Sequence, residues 1–331
     1  MKNPLYESHY SLRNLPKNIS KSYLPFFFHE IKKFIPQSFF YLYKDIYLIN
    51  QNLFSLTKFK MFSKFTHYPN NKRVDIFKLL IKNILKSNKQ ITEIEYGLWI
   101  LDDKVNVYYH WLFDSLQRYF LLPEELQKHP IMIPEVYKNN FIIEHLDFLE
   151  INYLIIEKNK LTKVNNCIIP SYSAPSGNFN NEVLMKMRNS YLEKFNIEVT
   201  KNMKRKIWID RHNVRRQIKN KEEILNILKK YNIEIIQPEK FKIKEIIKII
   251  SESQIIMGPH GSGLSNILFA NKGTTIIDIR EKTDNYRNAI FSLSSDLGLN
   301  YFFFNDTSVI DEDESVYLDK DILDKFLSNI L

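Results

Sequence analysis

Glycine is scarce in this chain, at seven residues in 331, and there is a single cysteine, Cys167. One cysteine excludes an internal disulfide and fits a reducing compartment. Set in an apolar run, it reads as a core thiol. No apolar run approaches the roughly 18 residues that would cross a bilayer; Pro25–Phe28 and Phe302–Phe304 are far too short. No secretory h-region opens the chain, so a cytoplasmic location is expected. His9, His29 and His67 lack metal-ligand spacing and read as ordinary histidines. What is present is apolar and basic. Hydrophobic residues make up 44% and aromatics 14%, which describes a globular protein. The formal charge is +9. Such a balance suits nucleotides, nucleic acid or an acidic membrane surface, although solvated lysines of a Lys-, Asn- and Ile-rich composition account for it equally well. The length predicts two domains.

Three of the seven glycines fall in six positions, in Ile255-Ile256-Met257-Gly258-Pro259-His260-Gly261-Ser262-Gly263-Leu264-Ser265-Asn266. The apolar run reads as a buried strand and Leu264–Ala270 as a helix. A strand, a glycine turn and a helix start form an anion site, because first-turn N–H groups lack intrahelical partners and the helix dipole favours negative charge. The expected guest is the diphosphate of a nucleotide. A plain strand-to-helix turn is the competing reading. The spacing is neither the dinucleotide fingerprint nor a P-loop.

The surrounding second half predicts strands at Lys206–Asp210, Glu234–Ile236, Gln254–Met257 and Thr274–Ile279. Helices from Asn220 to Tyr231, over Ile243–Ser251 and over Leu264–Ala270 alternate with them. That succession is the pattern of an open, doubly wound sheet, whose ligands bind outside the carboxyl ends of the strands. Arg211, Arg215 and Arg216 follow the first strand, the glycine block follows the third, and Asp278 and Glu281 lie at or after the fourth. All fall on that one edge, where arginines are natural donors to a diphosphate. A strand at Tyr301–Phe304 and a closing helix at Leu318–Ile330 complete this half. Between them Asp311-Glu312-Asp313 has a D-x-D form but reads as a solvated acidic loop.

The first half is less regular. Residues 1 to about 90 are aromatic and basic, with one helical stripe at Ile76–Leu85. Leu98–Leu101 reads as a strand, Trp111–Phe120 as a helix, and the run to Pro170 as short alternating strands and helices over a parallel sheet. His110 and Asp114 are four apart and share one side of a helical turn. A carboxylate beside an imidazole orients it for proton abstraction. Alternatively His110 caps the helix and Asp114 is a solvated acid. Ser171–Asn180 is a clear loop, and domains are expected at 1–195 and 196–331, the last helix packing back on the first.

These residues resemble glycosyltransferase family 61. The resemblance rests on the Arg211 strand end, the Arg216-x-x-x-Asn220 element, the Pro238-Glu239 step, the Gly258–Asn266 block and the acid-ending strand at Asp278. Upstream, His110-Trp111-Leu112 with Asp114, Leu116 and Arg118 matches a further element. Ser262 and Asp278 depart mildly from the more usual Ala and Glu. The resemblance implies two Rossmann-like α/β domains facing across a cleft, a GT-B-like fold. It implies an inverting, metal-independent transfer from a nucleotide-diphosphate sugar to a glycan or lipid-linked glycan hydroxyl, with no cofactor and no metal. The class is a hexosyl- or pentosyltransferase, and the expected setting is bacterial capsule or lipopolysaccharide synthesis. Donor contacts are expected from Arg211, Arg216, Asn220, His260, Gly261, Ser262, Gly263, Leu264, Ser265, Asn266, Asp278 and Glu281, and the base from His110 or Asp114. A non-catalytic Rossmann-type module binding nucleic acid or anionic membrane is the alternative. Nucleotide, sugar, acceptor, oligomeric state and contact with the inner membrane stay open.

Overall fold

The computed structural model describes residues 2–55, 60–62, 91–195, 203–211, 217–282, 284, 286–309 and 315–331. His67, the Ile76–Leu85 stripe, Arg215, Arg216 and the acidic run at Asp311–Glu314 lie outside them. The chain divides into two compact units. One comprises Met1–His9, Ile35–Pro175 and Glu182–Met187, and the other Tyr10–Phe34, Ser176–Asn181 and Arg188–Leu331. Both are α/β.

The first unit is built on an eight-stranded sheet. Its strands are β1 (Lys2–Tyr6), β2 (Ser38–Ile49), β3 (Asn52–Ser55), β4 (Lys60–Met61), β5 (Thr92–Leu98), β6 (Ile131–Pro134), β7 (Tyr153–Ile156) and β8 (Thr162–Pro170). The order is β4-β3-β2-β8-β5-β6-β7, with β1 also on β2. Strands β8, β5, β6 and β7 are parallel, as the alternating pattern predicts. The other half is antiparallel, which the expected parallel sheet did not include. Strand β2, SFFYLYKDIYLI, explains it: aromatic and β-branched residues suit a long pleated strand. It pairs with β8 along Thr162–Pro170, placing Tyr43 opposite Cys167. Cys167 is buried, and burial pushes its thiol up, so it is a core thiol as its apolar run suggests.

The strand expected at Leu98–Leu101 instead ends at Leu98. The cause is Arg118, whose fully buried guanidinium collects the strand-end carbonyls. It donates to Pro170 O at 2.6 and 3.0 Å and to Ile100 O at 2.8 Å. Carbonyls that would have continued a ladder are satisfied by a side chain.

His145, on the Asn140–Phe148 helix, is buried beside the Tyr108 ring. Burial holds its pKa down at about 3. The unfolded chain, with an ordinary histidine near ~6.5, therefore binds a proton that the fold refuses. Stability should fall as pH drops from ~6.5 toward that folded value, by up to ~1.4 kcal/mol per pH unit. Urea unfolding at neutral and mildly acidic pH should show a shallower loss in His145→Phe than in the parent. Identical pH dependence would remove His145 as the cause.

The second unit carries five parallel strands: β9 (Arg205–Ile209), β10 (Glu234–Ile236), β11 (Ser253–Pro259), β12 (Thr275–Ile279) and β13 (Asn300–Phe304). Their spatial order is β10-β9-β11-β12-β13. The chain steps one way from β9 to β10 and the other way from β11 onward. The switch point, where loops diverge and ligands settle in such sheets, therefore lies between the ends of β9 and β11. On one side of the sheet Trp208, Ile255, Met257 and Ile277 pack with Ile224 and Leu228 of the Lys221–Lys230 helix. Leu323 and Leu327 of the closing Lys320–Ile330 helix belong to this same cluster, so that helix packs on its own unit. Residues Tyr10–Phe34 also belong here, although they precede the first unit in sequence. Lys17 N donates to Tyr301 O at 2.8 Å, Asn18 bonds both backbone groups of Phe303, and Phe27 packs on Phe291 and Phe303. This segment covers the exposed edge of β13, which would otherwise offer unpaired backbone groups.

Candidate active site

The rim of the second sheet brings Arg211 and the glycine block together at the switch point. Arg211 follows β9, and its Nη1 donates to His260 O at 2.8 Å. That contact lays the guanidinium along the glycine turn. A Cβ on Gly261 would run into Arg211 Nη1, so glycine is needed there to admit the arginine in this position. The backbone of Gly261 is extended, at φ 162°, and imposes no such need by itself. Gly258 has a different reason: its Cβ would meet Ile209 O at 2.5 Å, in the close pairing of β9 and β11. After the turn, Ser262–Phe269 forms a 3₁₀ helix where an α-helix is expected. His260, Gly261, Ser262 and Gly263 are part-exposed, while the side chains of Leu264, Ser265 and Asn266 face inward. Asn266 donates to Gly263 O at 2.8 Å and fixes the turn. Arg211, His260 and the part-exposed residues Gly261, Ser262 and Gly263 line this part of the rim, while the Leu264 N–H is taken up by Gly261 O at 3.0 Å.

His260 is held from behind. Its Nδ1 lies 2.9 and 3.1 Å from the two oxygens of Asp278 on β12, and Tyr301 of β13 donates its hydroxyl to the same carboxylate at 2.8 Å. Asp278 is fully buried. Burial by itself would push its pKa up, but His260, Arg280 and Tyr301 together hold it below the usual carboxylate value. It orients the imidazole from behind, and its oxygens are buried and not presented as the donor contact expected from the sequence. Tyr301 is absent from that reading. Register explains why: Ile276 pairs with Tyr301, which brings the phenol diagonally over Asp278. The available signal was a lone hydroxyl in an otherwise apolar Tyr301-Phe302-Phe303-Phe304 run, since a buried phenol needs a partner.

Of the other expected donor contacts, Glu281 is part-exposed just beyond β12, on the same rim. Asn220 is engaged elsewhere. Its amide pairs with both backbone groups of Leu318, at 2.8 and 3.1 Å, and with Glu223, tying the Lys221–Lys230 helix to the Val316–Leu318 strand. It is a structural tie and does not point to the rim. Asp210, at the end of β9, accepts from Lys221 Nζ at 2.7 Å and Gln237 Nε2 at 3.0 Å, which anchors the strand end that carries Arg211.

The first unit has its own cluster at the carboxyl edge of its parallel strands. The helix that follows β5 begins at Tyr108 and passes through a π-helical turn over Trp111–Leu116 before returning to α geometry at Gln117–Phe120. Such wide turns recur at functional sites. His110 Nδ1 and Asp114 Oδ2 are 2.5 Å apart, so the i, i+4 pair does form. Asp114 is buried and His110 part-exposed, which excludes Asp114 as a solvated acid. Asp102, which the sequence reading passed over, joins them. Its carboxylate accepts from Lys104 N at 2.9 Å and from the Tyr172 hydroxyl at 3.2 Å. Burial and the nearby Asp114 push its pKa up, against the opposing pull of Lys104 N–H, Arg118 and His110. The signal was an acid directly after the apolar Leu98–Leu101 run, at the end of a parallel strand.

Residues 108–277 fit the family model described as Glycosyltransferase 61, which takes in both the His110 turn and the glycine block. The match covers just over half of the chain, and the chain belongs to that family. It is a glycosyltransferase by class. No curated protein matches it.

Proposed function

We propose that the chain is an inverting, metal-independent glycosyltransferase that binds a nucleotide-diphosphate sugar on the second unit and activates an acceptor hydroxyl from the first. The observation that carries the donor half is the Arg211–Gly261 contact at the switch point. In the reaction, the acceptor oxygen attacks the anomeric carbon while the bond from that carbon to the phosphate oxygen breaks. Negative charge grows on the departing nucleoside diphosphate. Arg211, His260 and the N–H groups of Gly261, Ser262 and Gly263 are the donors assigned to stabilise it, the Leu264 N–H being bonded to Gly261 O within the turn. Glu281 is the carboxylate placed for ribose hydroxyls, by the logic of other Rossmann-type sites. Arg216 is assigned to the diphosphate by the family motif alone.

The acceptor proton goes to His110 Nε2, with Asp114 holding the opposite nitrogen; this assignment rests on the pairing of the part-exposed His110 with the buried Asp114. Arranging the two units as in GT-B enzymes, donor and base facing one another, is part of the proposal. So is a glycan or lipid-linked glycan acceptor in bacterial surface-polysaccharide synthesis. Thermal shift with UDP-, GDP- and CMP-sugars beside a DNA oligomer tests the reading. Stabilisation by the UDP- or the GDP-sugar, and release of its nucleoside diphosphate when acceptor is supplied, is expected, whereas stabilisation by the CMP-sugar alone, which carries one phosphate, would contradict a diphosphate site. Stabilisation by DNA alone, falling steeply with salt, would favour a nucleic-acid-binding module.

A further inference from the structure

Among the described residues, fifteen large hydrophobic side chains are exposed, and five of them lie in Tyr10–Phe34: Tyr10, Leu12, Leu15, Phe28 and Phe34. One short segment therefore supplies a third of them. Several share a surface. His9–Leu12 and Lys32–Ile35 form a two-stranded sheet. Alternation sends Ser11 and Arg13 inward, Ser11 to Asp296 and Arg13 to Glu30 and Asn178. Tyr10 and Leu12 face out, 57% and 74% exposed. The Tyr10 ring meets Phe34 edge-on at 5.4 Å, and the Lys32 ammonium stands 4.7 Å over the Tyr10 ring. On the Leu24–Ile31 helix that runs into the Lys32–Ile35 strand, Phe27 is buried while Phe28 is 68% exposed.

The charge on this segment is of one sign. Its lone carboxylate, Glu30, is buried and paired with Arg13 at 3.1 Å and Lys33 at 2.7 Å. Lys17, Lys21 and Lys32 are exposed, and the segment has no exposed acid to offset them. Aromatic and leucine side chains beside lysines suit the boundary between lipid headgroups and acyl chains, where rings and leucines enter and ammonium groups meet phosphates. We propose that the Tyr10–Phe34 face docks the protein peripherally on an anionic bilayer surface. A second copy fits the face less well, since a two-fold contact would bring its lysines together. Among the described residues no helix is long and apolar enough to cross a membrane, so the contact is superficial. The inference stands or falls independently of the transferase reading.

Co-sedimentation of the full chain with vesicles tests it, using phosphatidylcholine alone and phosphatidylcholine with phosphatidylglycerol. The parent should pellet with the anionic vesicles only. Leu12→Ser with Phe28→Ser, and separately Lys17→Glu with Lys21→Glu, should weaken that binding about tenfold or more without lowering Tm. Ile235→Ser, an exposed apolar position on β10, should bind as the parent does. Absence of binding to anionic vesicles would overturn the proposal. So would binding that ignores the Leu12 and Phe28 changes, which would mean diffuse charge attraction. A dimer in solution that those two changes dissociate would assign the face to a second copy instead.

Discussion

His110→Ala should lower kcat by about 10²–10⁴-fold, the usual worth of a positioned general base. The donor dissociation constant should stay nearly unchanged. His110 and Asp114 belong to the first unit, whereas Arg211, His260 and the glycine turn belong to the second, so removing the base takes nothing from the donor contacts. Asp114→Ala should follow His110→Ala, because His110 Nδ1 sits 2.5 Å from the Asp114 carboxylate and no other acid on that helical turn replaces it. Combining the two changes should cost little more than either alone, as expected of groups that act as one unit. Stopped kinetics beside equilibrium titration of the donor separates the two quantities. If turnover and donor affinity fall together, the base assignment is lost.

The second large effect separates two glycines three positions apart. Gly261→Ala places a Cβ against Arg211 Nη1 and 2.7 Å from Cζ. The obstacle is the far end of a flexible side chain, so the guanidinium moves and the fold survives. Donor affinity should fall about 10–100-fold, corresponding to one charge-assisted hydrogen bond at ~1.5–3 kcal/mol. Tm should hold. Gly258→Ala meets the backbone of β9 at Ile209 O and cannot be relieved so simply. It should cost about 1–3 kcal/mol of stability, seen as a lowered Tm, because strands β9 and β11 must part. Calorimetric titration and thermal melting of both variants check the pair. Unaltered donor affinity in Gly261→Ala would detach Arg211 from the diphosphate.

The second sheet was readable in the sequence because its strands and helices alternate and each strand is a short Ile-rich run bounded by turns. Glu234–Ile236 and Ile243–Ser251 fall where the periodicity puts them. Strand order follows less directly, since nothing local tells β10 to lie outside β9. The first unit was only half legible. Strand β2 sits in aromatic sequence without clean alternation, and its partner β8 is more than a hundred residues away. The helix predicted from Trp111 is present, but its π turn is not a feature of residue pattern. Of the local signals, two correspond to contacts that form: His110 with Asp114, and the glycine block with Arg211. What local pattern could not show were contacts made by register or long loops. Tyr301 reaches Asp278 only because β12 and β13 pair, and Asn220 is drawn to Leu318 at the far end of the chain. Asp278 looked like a ligand-facing carboxylate until its burial placed it behind His260.

The claim beneath all of this is that the diphosphate lodges where β9 and β11 diverge, between Arg211 and the turn from Gly261 to Leu264. Backbone amide NMR during titration with the stabilising nucleotide reads that turn directly. The account predicts that Gly261, Ser262 and Gly263 shift most, with the response lost in Arg211→Ala. Saturable binding that leaves those amides unmoved and shifts residues elsewhere would contradict it.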